Sequence, residues 1–158
     1  MSQLSAMSAA LAGRVLACLL VASAAGCSDV LFESQLDELA DNLERWEATR
    51  PAEYTFAIAR LCFCGPEARG PVRVTVAGSV VVSQHYVDSG EPVQGEAVEW
   101  FPDVDGLFAI LRAALEGGAF DVRVSYDAST GVPIDVWIDY DQNTVDEELG
   151  FEVTEAVH

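Results

Sequence analysis

The sequence predicts an α+β fold, a mainly antiparallel sheet with two helices on one face in the order α-βββ-α-βββ. Two segments carry apolar residues at three- and four-residue steps, the period of a helix with one buried stripe. Other segments alternate apolar and polar residues, the period of strands buried on one face. Glycine and proline punctuate the joins, and one apolar face per element calls for helices packed on a sheet.

The first predicted helix runs from Leu31 to Thr49, with Phe32, Leu36, Leu39, Leu43 and Trp46 on one side and Asp37, Glu38, Asp41, Glu44 and Glu47 on the other. Arg50-Pro51 ends it, because a residue before proline is pushed out of the helical region. Strands are predicted at Tyr54 to Cys64, Val72 to Ala77 and Val80 to Val87, the last two joined by a tight Gly78-Ser79 turn. Ser89 to Gly95 is a polar loop, and Glu96 to Phe101 reads as a short additional strand.

The second helix is predicted from Val104 to Glu116, started by Pro102-Asp103 and stopped by Gly117-Gly118. Its buried side is Val104, Leu107, Phe108, Leu111, Ala114 and Leu115. Phe120 to Tyr126 follows, with Phe120, Val122, Val124 and Tyr126 inward. Asp127 to Gly131 turns the chain into Val132 to Tyr140, where alternation points Ile134, Val136, Ile138 and Tyr140 inward. Phe151 to Val157 is the last strand.

Residues 1–26 read as an export leader. Arg14 precedes about eleven small or apolar residues, the charge and length of a signal peptide. That run is shorter than the roughly 20 residues needed to cross a bilayer. Ala24-Ala25-Gly26-Cys27 resembles a lipobox, the site at which signal peptidase II cuts before an acylated cysteine. Ala22-Ser23-Ala24 offers ordinary cleavage as the alternative. Cysteine parity favours acylation: Cys18 leaves with the leader, and lipid on Cys27 removes the odd thiol from Cys27, Cys62 and Cys64. The expected organisation is a signal peptide at 1–26, an acylated cysteine and short tether at 27–30, and a single domain at 31–158. The expected address is the cell envelope, facing away from the cytoplasm, on the outer membrane if the cell has two.

All 26 acidic residues and seven of the eight arginines follow residue 26, so the mature chain carries 7 − 26 = −19 and has no lysine. Such a charge repels phosphate and makes nucleic acid an improbable partner. It suits solubility, or attraction to a cationic partner or Ca²⁺. Without lysine there is no Schiff base and no Ser-Lys dyad. No G-x-S-x-G elbow or phosphate-binding glycine loop occurs. His85 is the one imidazole apart from terminal His158, so a hydrolase reading would have to use it.

Three constellations remain. Cys62-Phe63-Cys64 could form a disulfide if the strand bends, because residues two apart in a strand lie near the upper Cα limit of about 6.8 Å. A metal site with His85, a reducible redox bridge and two free thiols are the alternatives. Asp139, Asp141 and Asn143 copy the opening positions of an EF-hand, but Thr144 and Gly150 stand where glycine and glutamate belong. A looser metal site using Asp139, Asp141, Asn143, Asp146 and Glu147 is set against a solvated loop that uses Asp and Asn for turns. Finally, alternation sends Trp137 outward beside Arg123 of the neighbouring strand, a recognition spot unless a loop or the chain end covers it.

Tyr126-Asp127, Gly131, Pro133, Ile138-Asp139, Asp146-Glu147 and Phe151-x-Val153 together resemble an uncharacterised bacterial lipoprotein family, a domain of unknown function. Trp46, Cys62, Cys64 and Val104-Asp105-Gly106-Leu107-Phe108 match as well, and Thr130 departs from the aromatic often found before the hairpin glycine. The likeness covers most of residues 40 to 155 and implies the fold and the address, not an activity. The expectation is an envelope lipoprotein with a non-enzymatic binding domain, tethered through Cys27 to a membrane and contacting an unknown protein or envelope ligand without a cofactor.

Overall fold

The computed structural model describes residues 27–155 and 157. The predicted leader lies outside them, and of Cys27 only the backbone is described. By contacts the chain divides into Met1–Ser34 and Gln35–His158; the packing below belongs to the second unit.

The elements are α1 (Cys27–Thr49), β1 (Glu53–Leu61), β2 (Val72–Ala77), β3 (Val80–Tyr86), α2 (Val104–Glu116), β4 (Asp121–Tyr126), β5 (Pro133–Asp139) and β6 (Leu149–Glu155). The order is the predicted α-βββ-α-βββ. All six strands form one antiparallel sheet, ordered β3-β2-β1-β6-β5-β4. β3 and β4 are its opposite edges, so the chain between them must travel the width of the sheet. α2 makes that crossing, which places its apolar stripe over the strands.

That stripe is the one the sequence predicts: Val104, Leu107, Phe108, Leu111, Ala114 and Leu115 are all buried. Asp103 caps α2, its carboxylate accepting from the Gly106 amide at 2.8 Å. Beneath the helices the sheet contributes Tyr54, Phe56, Ile58, Val72, Val74, Val76, Val136, Ile138 and Phe151. Fully burying each large apolar side chain is worth about 1.5–3 kcal/mol, which makes this layer the main source of stability.

The two helices are joined by a polar latch. Trp46 is fully buried, and its indole Nε1 donates to Asp105 Oδ1 at 2.8 Å. Arg50, just past α1, pairs with the other Asp105 oxygen. The Trp46 and Tyr54 rings meet edge to face, 5.2 Å between centroids. Burial pushes the Tyr54 phenol pKa up, and the nearby Asp103 and Asp105 carboxylates push it further.

Three expectations are corrected. Gly95–Trp100 is a short 3₁₀ segment and not a strand. Its end is held by buried Gln84, whose amide donates to the Val98 and Phe101 carbonyls at 3.1 and 2.8 Å. Ile134 is exposed because Ser125 pairs with Asp135 while Tyr126 pairs with Pro133, leaving Ile134 as the extra residue of a bulge. Phe120 and Tyr140 lie beyond the strand ends, where alternation no longer dictates a face, and both are exposed.

Candidate recognition face

The helices occupy one side of the sheet; among the described residues no helix covers the other. Paired residues in neighbouring strands share a face, so the register lays out that open side. Arg123 pairs with Trp137, Trp137 with Gly150, and Gly150 with Leu61. A stripe therefore runs Arg123–Trp137–Gly150–Leu61 across β4, β5, β6 and β1. The next row is Ser125–Asp135–Glu152–Ala59, polar along most of its length.

Local chemistry fixes the stripe. Val136 and Ile138 are buried against the helices, which forces Trp137 to the opposite side. Gly150 gives the flanking side chains room, since a Cβ there would stand 2.9 Å from the Val136 carbonyl oxygen and 3.0 Å from Leu61 Cβ. The Arg123 guanidinium carbon lies 5.7 Å from the Trp137 ring centroid, and its Nε is 3.0 Å from Asp121 Oδ2. An exposed cation–π contact contributes about 0.5–1 kcal/mol. A surface ion pair contributes about as little, so these contacts orient the two side chains more than they stabilise the fold.

Arg123, Val124, Ser125, Asp135 and Trp137 line a groove of about 410 Å³. It offers an aromatic wall, a guanidinium, a carboxylate and a hydroxyl on one open surface. Further along the same face, both Glu155 oxygens lie 2.7 Å from Arg73 Nη2. Ala57 is in register with Arg73 and Glu155 and is fully buried.

Cys62 and Cys64 form a disulfide, with Cα atoms 5.3 Å apart. The required bend exists because β1 stops at Leu61 and the Cys64 amide donates to the Cys62 carbonyl at 2.9 Å. His85 lies on β3 opposite Arg73 and is exposed. Neither the metal reading of the two cysteines nor a catalytic partner for His85 finds a geometry here: among the described residues, no hydrogen bond joins His85 to a hydroxyl, thiol or carboxylate.

The acidic loop does not converge. Among the described residues no group of three or more His, Cys, Asp or Glu side chains is placed to hold a metal ion. Asp141 turns inward to its own loop, accepting from the Asn143 amide at 2.9 Å, Asn143 Nδ2 at 3.2 Å and Thr144 Oγ1 at 3.1 Å. These donors hold its pKa below the usual carboxylate range. Glu147 Oε1 in turn accepts from the Asp141 amide. Asn143 meets Asp141 as a hydrogen-bond donor, and Asp139 and Asp146 are not grouped with Asp141 and Glu147 as a set of acidic ligands among the described residues.

The β4–β5 turn is built on Asp127. Its Oδ1 accepts from the Ser129 amide at 3.0 Å, Ser129 Oγ at 2.6 Å, the Thr130 amide at 2.8 Å and Thr130 Oγ1 at 2.8 Å. The two hydroxyls and the Thr130 amide draw the carboxyl pKa down to about 2. Gly131 then takes φ +78, with α1 pressed so close that a Cβ would collide with the Asn42 carbonyl oxygen.

A family model matches residues 38–157, the span holding most of α1, α2 and all six strands. The chain belongs to this family of unknown function, DUF6174. The DUF6174 match leaves out residues 1–37. No curated protein and no solved structure matches the chain.

Two features escaped sequence reasoning. Gly150 joins the Trp137 stripe through the β5–β6 register and Leu61 through the β1–β6 pairing, which no local pattern signals. Asp105 looks like an ordinary first-turn acid, yet it receives the buried indole of a residue 59 positions away.

Proposed function

We propose that this DUF6174 protein is an extracytoplasmic lipoprotein, held in a membrane by lipid on Cys27, whose α+β body binds a partner through its open sheet face. The observation that carries the reading is the uncovered stripe with Trp137 at its centre and Arg123 oriented over its ring. A half-exposed tryptophan beside an arginine and a carboxylate is the composition of a binding hot spot. The leader and the parity of the cysteines support the anchor. That no described helix is long and apolar enough to cross a membrane is compatible with attachment by lipid.

Two measurements test the two halves. Palmitate labels the wild-type chain and not Cys27→Ser; equal labelling removes the anchor. Trp137→Ala folds with an unchanged melting profile but loses the proteins or envelope components that co-purify with wild type. An unchanged set of co-purifying components removes the face.

A further inference from the structure

We propose that the Cys62–Cys64 bridge is a thiol–disulfide exchange site that takes an electron pair from thiol substrates, and that it is not a staple of the fold. The inference goes beyond the binding reading and stands without it. Its basis is where the bridge sits. The cysteines are two positions apart on one loop, so the bond closes a very small loop and removes little entropy from the unfolded chain.

The loop is also closed without the bridge. The Arg60 amide donates to the Arg69 carbonyl at 2.7 Å, and the Ala68 amide to the Gly65 carbonyl at 3.1 Å. Ala68 is buried, and the Tyr86 hydroxyl donates to the Glu67 carbonyl at 2.9 Å. β1, β2 and β3 are thus held in place on both sides of the cysteines.

By thermodynamic linkage, a bond that contributes little to folding receives little protection from folding. Structural disulfides resist reduction because the fold cooperates with them, whereas exposed, weakly coupled ones exchange. Both cysteines are part-exposed, and Phe63 between them is 84% exposed, so the bridge is not packed into the core. Cys62 directly follows Leu61, which places the bond at the end of the open-face stripe.

The reaction balances with thiols as the only co-reactant. A thiolate attacks one sulfur, the S–S bond breaks, and the electron pair leaves on the other cysteine, which takes a proton. A second thiolate then attacks the mixed disulfide and releases the substrate disulfide. Two thiols are oxidised, the bridge is reduced to two cysteine thiols, and the reverse sequence with a small-molecule disulfide regenerates it.

The test equilibrates the full chain with graded mixtures of reduced and oxidised glutathione, then acid-quenches, alkylates and weighs the peptide carrying Cys62 and Cys64. The peptide is expected to pass from bridged to dithiol within the glutathione range. The reduced protein is expected to melt cooperatively within about 5 °C of the oxidised one. Cys64→Ser is expected to trap glutathione on Cys62. A peptide that stays bridged at every ratio, a larger fall in melting temperature, or no trapped glutathione in either single-serine variant would each overturn the proposal.

Discussion

Asp105→Ala should remove the latch between the helices, and its cost follows from the partners it abandons. Trp46 is fully buried, and Asp105 Oδ1 at 2.8 Å is the acceptor for its indole N–H. Stranding a buried donor costs about 1–3 kcal/mol. The Arg50–Asp105 pair is 31% and 38% exposed on its two sides, so solvent screening limits its share to about 0–1 kcal/mol. The two ranges add to about 1–4 kcal/mol, with a midpoint of about 2–3 kcal/mol. For a chain of this size that lowers the melting temperature by roughly 5–10 °C.

Asp105→Asn keeps an oxygen for the indole and loses only the charge, so it should cost about 1 kcal/mol or less. Urea unfolding followed by tryptophan fluorescence measures both, with the slope unchanged if only the native latch is altered. The reasoning is refuted if Asp105→Ala is indistinguishable from wild type. It is equally refuted if Asp105→Asn is as unstable as Asp105→Ala, since charge and not the indole acceptor would then dominate.

Three further outcomes are expected. Gly131→Ala should cost about 3 kcal/mol or more, combining a strained positive φ with a collision against the Asn42 carbonyl; thermal melting reads it, and a shift under 2 °C contradicts it. The Asp127 carboxyl has a folded pKa of about 2 against about 4 unfolded, so its stabilisation is complete above pH 4 and is lost as pH falls toward 2. The melting difference between wild type and Asp127→Ala should therefore shrink over that window; a difference that stays constant between pH 5 and 2 counts against the turn's electrostatics. Millimolar Ca²⁺ should leave the melting temperature unchanged, whereas ligand at 100 times its Kd would add about 2.7 kcal/mol and revive the metal-site reading of residues 139–148.

Much of this molecule was legible where structure is decided locally. The α2 stripe, its Asp103 start and its glycine stop lie within one short segment, and every predicted core residue of that helix is buried. The Val72, Val74 and Val76 face was equally plain. Non-local effects were not legible. Glu96 to Phe101 reads as a short additional strand, but Gln84 from β3 donates to the Val98 and Phe101 carbonyls and holds the segment in a 3₁₀ turn. Ile134 is predicted inward by parity, but it is the extra residue of the bulge opposite Ser125 and Tyr126 and is exposed. Of the site, Trp137 and Arg123 were found because adjacent hairpin strands share a register, while Gly150 required the β5–β6 pairing and Leu61 required β1 to meet β6.

The claim that the open face makes the functional contact is tested most directly by placing a photo-crosslinking residue in the full-length protein in its cells. One version carries it at Ser125, beside Trp137; the other carries it at Arg112, on the helical side. Crosslinked partner is expected from Ser125, to disappear when Trp137 is alanine, and to be absent from Arg112. Crosslinking from Arg112 alone would contradict the account.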